Sequence, residues 1–269
     1  MNLEKITEYL ETLPGRGIPS VDCMIYKEHE LMYRHMCGTT DEAYSKPIEG
    51  DELYIMFSMT KVQTMTAVMQ LVEQGKLSLE DEVSKFLPAY KELTVEVDGK
   101  VEKCEKPLLV WHLLSMQSGL DYDLERPGIK RVLQEKGQQA TTREIVDAFV
   151  ESPLKFVPGE HFLYSLSHDV AAAIVEVVSG MSYGEYLKKN IWEPLGMTRT
   201  FFAKPVNHLE KLATQFEMDE KGNTKAMGPT CSGAPPAVHC SGRSDSLMKS
   251  KSTAPRSSHW VRSWKLLSS

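Results

Sequence analysis

Ser58 and Lys61 form the residue pair in this sequence with the clearest capacity for covalent chemistry. A serine hydroxyl is a weak nucleophile until a base takes its proton, and a neutral lysine amine can be that base. A spacing of three residues places both side chains on one face of a helix. Ser58 also stands where an extended run, 51–57, gives way to a helical pattern over 58–74. Free N–H groups at a helix start can stabilise an oxyanion, so the pair predicts acyl transfer.

The same Ser-x-x-Lys spacing occurs at two other places that lack this setting. Ser152 begins one of them, but Pro153 follows it in a short linker. Ser246 begins the other, in a C-terminal stretch dominated by serine and basic residues. Neither serine follows a predicted strand and opens a predicted helix. Ser58 is therefore the preferred nucleophile.

A different nucleophile pattern, Gly-x-Ser-x-Gly, has Ser182 at its centre. The nucleophile elbow of α/β-hydrolases requires a strand before the serine and a helix after it. Here the preceding run, 170–179, has a helical pattern, and Ser182 with Glu185 has the spacing of a capping box. We therefore expect Ser182 to begin a helix rather than to be a nucleophile.

Extended segments flank a long helical stretch. Runs rich in Val, Ile, Met and Tyr over 18–37 predict a β-hairpin, and 213–225 predicts a second strand-turn-strand around Gly222. An N-terminal amphipathic helix is expected from Leu3, Ile6, Leu10 and Leu13. Further helices are expected, from their apolar periodicity, caps and stops, at 58–74, 78–88, 110–119, 141–149, 170–179 and 182–191. Thr141 with Glu144 has the spacing of a capping box, and Gly180 is the expected stop of the helix at 170–179.

Three blocks of the sequence resemble the serine β-lactamases, penicillin-binding proteins and related carboxylesterases. Residues 57–88, which begin FSMTK, resemble the block around the nucleophile of that family. Residues 108–120 resemble the next block, with a leucine pair followed by a Ser-Gly-Leu turn. Residues 156–197 resemble a third, with Pro-Gly-Glu, Tyr-Ser, Ser-Gly and Pro-Leu-Gly-Met in order. The likeness covers roughly residues 5–240.

This resemblance implies roles for three residues. Ser58 matches the nucleophile, Lys61 matches the general base, and Tyr164 matches the second-motif tyrosine that relays a proton to or from the leaving group. Penicillin-recognising members usually carry, two residues after that tyrosine, an asparagine that holds the substrate amide. Leu166 takes its place and cannot form a hydrogen bond with its side chain. The run Tyr-Ser-Leu-Ser-His-Asp is similar to the esterase and transesterase branch, which favours ester substrates.

The third motif of the family is missing from the sequence. In other members a Lys-Thr-Gly or His/Trp-x-Gly triplet lies on a late strand that completes the oxyanion hole. Here the family-like pattern stops near 240–242, and 241–269 is interpreted as a disordered or foreign tail. We therefore expect a truncated chain. Its activity should be poor because one donor of the oxyanion hole is missing, and its stability marginal because the hairpin at 18–37 would keep an open edge.

Composition argues against several other classes of protein. The net charge of −6, from 31 basic and 37 acidic side chains, disfavours a nucleic-acid or anionic-membrane partner. The sequence has no apolar run that could span a bilayer and no signal-peptide pattern at its start, which predicts a cytoplasmic location. Its 5 cysteines are odd in number and form no Cys-x-x-Cys pair, which predicts reduced thiols rather than a metal site or a disulfide framework. We expect no cofactor.

The expected fold is an α/β region plus an all-helical region in a serine β-lactamase/transpeptidase-like architecture, with the C-terminal part of the sheet missing. The α/β region should comprise 1–60 and 200–240, and the helical region 61–199, followed by the tail. The resemblance implies a serine hydrolase that acts on a small-molecule ester or amide through an acyl-Ser58 intermediate, and favours a carboxylesterase. Two alternatives stay open. One is a β-lactamase or D-alanyl-D-alanine carboxypeptidase, and the other is a catalytically inactive, truncated remnant.

Overall fold

The computed structural model of the chain describes residues 3–41, 43–202 and 211–226. These residues fall into two compact units, one formed by 3–55 with 211–226 and the other by 56–202. The expected tail at 241–269 lies outside the described residues, as do Ser246, Cys231 and Cys240. Among the helices of the described part, none is long and apolar enough to cross a membrane.

The first unit contains the expected hairpin. Strand β1 (Ser20–Lys27) pairs antiparallel with strand β2 (Glu30–Gly38), and the register shifts by one residue between Ile25 and Tyr26. The turn residues Glu28 and His29 both have positive φ, 52° and 67°, as a two-residue type I′ hairpin turn requires. The structure therefore confirms the hairpin predicted at 18–37.

Helix α1 (Glu4–Glu11) lies against β2. The Thr7 and Tyr33 hydroxyls are 2.7 Å apart, and the Cys37 thiol donates to the carbonyl of Leu10 over 3.3 Å. Leu10 is the buried residue of this helix, which confirms one of the four apolar positions expected to face the core. These contacts attach the helix to the face of the hairpin that carries Tyr33 and Cys37.

The remaining strands of this unit are short. Strands β5 (Phe216–Met218) and β6 (Thr224–Ala226) form the second expected hairpin. The run 51–57, expected to be extended throughout, is not a strand. Only Leu53 makes a bridge, parallel to Leu212, and the chain is already helical at Phe57. A strand needs β-ladder pairing along its length, and among the described residues Leu53 is the position of this run that forms a β-bridge.

The second unit has its core between two helices. Helix α2 (Thr60–Glu73) buries Thr60, Thr64, Ala67, Val68 and Leu71. Helix α6 (Ser167–Ser179), which packs against α2, is buried on all sides over its first nine residues. Beyond its first three, polar residues, this buried stretch is apolar from Val170 to Val175, as expected for a helix inside a core. Gly180 ends α6 in the left-handed conformation, as expected from the sequence.

Shorter helices surround this pair. Helix α5 (Thr142–Asp147) begins with the predicted capping box of Thr141 and Glu144, and α7 (Tyr183–Leu187) begins with that of Ser182 and Glu185. The helix expected over 110–119 ends early, since α3 spans only Val110–Leu114 before a turn in which Met116 has a φ of 58°. The segment 78–88 forms the 3₁₀ turn Val83–Lys85 rather than an α-helix.

Two elements of this unit were not anticipated. Strands β3 (Thr94–Val97) and β4 (Lys100–Lys103) form a hairpin around Asp98 and Gly99, both at positive φ. An Asp-Gly pair between two short runs is a strong hairpin signal. Helix α4 (Pro127–Lys136) has Pro127 at its first position, which is a favoured place for proline.

Candidate active site

Ser58 lies where a 3₁₀ turn continues into α2. The turn spans Phe57–Met59, and α2 follows without a break at Thr60. Ser58 is exposed, and Phe57 before it has a φ of 43°, a left-handed conformation that a bulky residue rarely adopts. Such backbone outliers persist only where the surrounding fold holds them in place, and they cluster at functional sites. The sharp bend directs the chain into the helix with the Ser58 hydroxyl accessible.

Lys61 follows one helical turn later, as its spacing predicts. Its Nζ lies 3.5 Å from the Ser58 Oγ, at the limit of a hydrogen bond. Lys61 is only partly exposed, whereas Ser58 is open to solvent. The pair therefore has the geometry in which a neutral amine could take the serine proton.

Tyr164 reaches the same hydroxyl from a distant part of the chain. Its phenol donates a hydrogen bond to the Ser58 Oγ over 2.7 Å. The structure thus brings together all three residues proposed from the resemblance. The Ser58 oxygen has an amine and a phenol as its neighbours, and each of these groups can carry a proton between reacting atoms.

A second aromatic residue, Tyr122, also lies near the Lys61 amine. The Tyr122 and Tyr164 rings are stacked, with centroids 5.6 Å apart, and the Lys61 Nζ lies 5.6 Å and 4.9 Å from them respectively. The face of an aromatic ring attracts a cation at such distances. A proton taken up by Lys61 would therefore create a charge that these two rings stabilise. Sequence reasoning missed Tyr122, although it follows the Ser-Gly-Leu turn by only two residues.

Asp169 is the other residue that sequence reasoning missed. It lies in the first turn of α6, is 2% exposed, and its Oδ1 has no hydrogen-bond partner among the described residues. Burial raises the pKa of its carboxyl to about 7, and the charge of Lys61 opposes that rise. An ionised Asp169 would in turn stabilise a protonated Lys61. The aspartate that closes the run Tyr-Ser-Leu-Ser-His-Asp was the available signal.

Three buried serines hold the Tyr164 segment in place. The Ser167 Oγ lies 2.7 Å from that of Ser118 and 2.6 Å from that of Ser165, and all three side chains are fully buried. Ser118 belongs to the Ser-Gly-Leu turn, so the cluster joins the second and third blocks of the sequence. The backbone adds to this, because the N–H of Leu163 donates to the carbonyl of Met116 over 2.9 Å.

Gly119 allows the Ser-Gly-Leu turn to pack closely against the segment that leads to Tyr164. Its φ is +83°, and a Cβ at this position would lie 2.3 Å from the carbonyl oxygen of Phe156. Any other residue would therefore force the turn away from the segment that leads to Tyr164. The Ser-Gly-Leu turn is thus required by packing next to the candidate site.

Leu166 has no access to the site. Its side chain is fully buried in the hydrophobic core, and its N–H donates to the carbonyl of Asp121 over 3.2 Å. The position at which penicillin-recognising proteins usually carry an amide-binding asparagine is therefore apolar and turned into the core.

Of the competing serines, Ser182 is placed as a structural residue. Ser182 is the N-cap of α7: its hydroxyl accepts from the N–H of Glu185 and contacts the Glu185 carboxylate at 2.5 Å. Helix α6, rather than a strand, precedes it, so the conditions for a nucleophile elbow are absent. Lys155, three residues after Ser152, lies near the carboxylates of Glu96 and Asp121.

One family model and several known proteins match most of this chain. A family model described as Beta-lactamase matches residues 5–248. Esterase EstB from Burkholderia gladioli is 29% identical over 195 residues, which cover 70% of this chain and 48% of the esterase. A putative D-alanyl-D-alanine carboxypeptidase from Escherichia coli K12 is 29% identical over 214 residues, which cover 74% of this chain and 47% of that protein. The chain spans about half the length of these curated relatives.

A solved structure shows the same fold. EstCE1, a hydrolase with promiscuous acyltransferase activity, matches with a TM-score of 0.69 and 26% identity, over 84% of this chain and 59% of EstCE1. This likeness confirms the fold class expected from the sequence.

Proposed function

Because the chain belongs to the beta-lactamase family, we propose that it is a serine hydrolase that cleaves small carboxylic esters through an acyl-enzyme on Ser58. The observation that carries this proposal is the convergence of two proton-transfer groups on one hydroxyl. The Tyr164 phenol lies 2.7 Å and the Lys61 amine 3.5 Å from the Ser58 Oγ. A serine that only capped a helix would need neither of these neighbours.

In the proposed acylation step, the neutral amine of Lys61 takes the proton of Ser58. The Ser58 oxygen attacks the ester carbonyl and forms a tetrahedral intermediate. When this collapses, the bond to the leaving alcohol breaks and the Tyr164 phenol donates the proton that the departing oxygen needs. The proton held by Lys61 then returns to Tyr164. During the step, the Tyr122 and Tyr164 rings lie near the new positive charge on Lys61, and the Asp169 carboxyl interacts with that charge electrostatically.

Deacylation reverses these roles. A water molecule gives its proton to the Tyr164–Lys61 pair and attacks the acyl carbon, after which the proton passes to the Ser58 oxygen as the acid leaves.

The N–H of Ser58 lies at the start of a continuous helical segment, where N–H groups lack helical acceptors and can bind an oxyanion. We propose it as one donor of the oxyanion hole. The second donor, which the resemblance assigns to a late strand, is not matched by any described residue.

The preference for esters over β-lactams rests on Leu166. A β-lactam or peptide substrate carries an amide beside the scissile bond, and binding it requires a hydrogen-bonding side chain that the buried Leu166 cannot offer. An ester without that amide has no such requirement. A β-lactamase or D-alanyl-D-alanine carboxypeptidase is the second candidate, favoured by the likeness to the E. coli protein.

The experiment combines a covalent probe with two substrates. A fluorophosphonate should label the wild type and a Ser182→Ala variant on Ser58 and leave Ser58→Ala unlabelled, as located by mass spectrometry. The efficiency with p-nitrophenyl acetate should exceed that with nitrocefin. The reverse order would favour the β-lactamase candidate, and absence of labelling in a folded protein would indicate the inactive remnant.

A cytoplasmic location is also part of the proposal. It is supported by the three cysteines of the described residues, Cys23, Cys37 and Cys104, which are all free thiols. Reduced thiols are typical of the reducing cytosol.

A further inference from the structure

Three potential metal ligands meet where α1 lies against the β1–β2 hairpin. Glu11 is the last residue of α1, and His35 and Cys37 lie two apart on β2, so their side chains share one face of the strand. One ligand atom from each of the three lies within 4.8 Å of the other two. Glu11 and His35 are already in contact, with 2.7 Å between Oε1 and Nε2.

The ligand types and their spacing fit a zinc ion. Zinc prefers thiolate, imidazole and carboxylate ligands, at about 2.0–2.3 Å, in a tetrahedral arrangement. Ligand atoms on such a tetrahedron are ~3.3–3.8 Å apart, a consequence of those bond lengths. Atoms that now lie within 4.8 Å therefore need shifts of only about 1 Å, which side-chain rotation can supply.

The burial of the three side chains also allows a metal ion to enter and bind. Cys37 is buried at 8% exposure and its thiol is oriented toward α1, where it donates to the carbonyl of Leu10. The His35 side chain is 23% exposed and that of Glu11 is 56% exposed, so one side of the cluster is open. A metal ion can enter from that side and keep a water molecule as its fourth ligand.

We propose that Glu11, His35 and Cys37 form a binding site for a zinc-type divalent cation. On binding, the Cys37 sulfur loses its proton to solvent and bonds to the metal. The Glu11–His35 hydrogen bond opens and the Nε2 proton of His35 is lost to solvent, while Nδ1 takes one up, which leaves a neutral ring with a free Nε2 lone pair. Glu11 Oε1 and that Nε2 lone pair then each take one coordination position. The bound ion ties the end of α1 to β2, and it takes no part in the chemistry proposed for Ser58.

The test uses Co²⁺ as a spectroscopic substitute for zinc in the full chain. Binding to the wild type should produce a thiolate-to-cobalt charge-transfer band with the visible bands of tetrahedral cobalt, and Zn²⁺ should remove both by displacement. Zn²⁺ should also raise the melting temperature, because it binds the folded state.

Cys37→Ser and His35→Gln should lose the charge-transfer band and the zinc-dependent rise in melting temperature. Glu11→Gln, which keeps an acceptor for His35 on an exposed position, should stay folded and bind at least about tenfold more weakly. Cys104→Ser is the matched control, because its thiol is also buried and also donates to a carbonyl, that of Lys106, over 3.3 Å. It should behave as the wild type. No charge-transfer band in the wild type, or a band that persists in Cys37→Ser, would overturn the site.

Discussion

The phenol of Tyr164 donates a hydrogen bond to the hydroxyl of Ser58 across 2.7 Å, although 106 residues separate the two in the sequence. The tyrosine precedes α6 and the serine precedes α2, and these are the two helices that form the core of this unit. The contact is therefore a product of helix packing. It also means that the candidate nucleophile is already bound to a proton donor before substrate arrives.

Tyr164→Phe should separate proton relay from structure. The variant keeps the ring that stacks on Tyr122 and loses only the hydroxyl, so the melting temperature should change little. Efficiency with p-nitrophenyl acetate should fall by about 10²–10⁴, the usual contribution of a positioned acid or base. Tyr122→Phe is the matched control and should keep activity within a few-fold. Full activity in Tyr164→Phe would remove the relay from the mechanism.

Lys61→Arg should abolish acylation. A guanidinium stays charged and cannot accept the serine proton, although its length and charge are similar to those of lysine. Labelling by a fluorophosphonate, followed over time, measures the acylation step directly. Lys155→Arg changes the lysine of the other described Ser-x-x-Lys pair and should label at the wild-type rate. Normal labelling of Lys61→Arg would show that Lys61 is not the base.

Ser167→Ala should weaken both the fold and the site. It removes the hydroxyl that Ser118 and Ser165 share, and a buried polar group without a partner costs about 1–3 kcal/mol. Urea unfolding should show that loss of stability. The acylation rate at saturating probe should also fall, because the backbone beside Tyr164 is less firmly held. Ser152→Ala, at a partly exposed serine, should leave both quantities unchanged. An unchanged acylation rate in a destabilised Ser167→Ala would contradict the positioning role.

Two buried histidines should make the protein sensitive to acid. Burial lowers the pKa of His112 and of His168 to about 4. Below about pH 6.5 the unfolded chain binds a proton at each histidine and the folded chain does not, so stability falls as the pH drops toward 4. Each histidine contributes up to about 1.4 kcal/mol per pH unit in that window. The slope of unfolding free energy against pH should be shallower in His112→Asn and unchanged in His161→Asn, which alters an exposed histidine. Equal slopes in all three proteins would contradict the buried neutral state of His112.

Asp169→Asn should raise stability and lower activity together. The folded carboxyl keeps its proton up to a pKa of about 7, whereas the unfolded one releases it near 3.8. The folded state therefore binds more protons between these values, and the wild type loses stability as the pH rises through this window. The variant should be the more stable protein at pH 8, with a gain that shrinks toward pH 4. Acylation should be slower, because Lys61 gains its charge without a carboxylate nearby. The matched control is Asp123→Asn, at an exposed position, and a stability gain there of equal size would refute this account.

The parts of the fold that depend on neighbours in sequence could be predicted from the sequence. The Ser58–Lys61 pair lies within one helical turn, so its geometry follows from helix formation alone. The capping boxes at Thr141 and Ser182 and the stop at Gly180 are likewise local. The hairpin at 18–37 was predictable because its two strands are contiguous. The run 51–57 was misjudged because a strand exists only where another segment pairs with it.

The sequence by itself determined the candidate nucleophile and base, and through the resemblance it also identified Tyr164. Only the tertiary structure decided what surrounds them. Tyr122 and Asp169 come from loop and helix positions that no short spacing connects to Lys61. The ligand cluster of Glu11, His35 and Cys37 is a similar case, because the spacing of the cysteines argued against a metal site. The physical reason is that such contacts form when separate elements bury their apolar faces against one another, and that packing brings together polar groups which the sequence keeps apart.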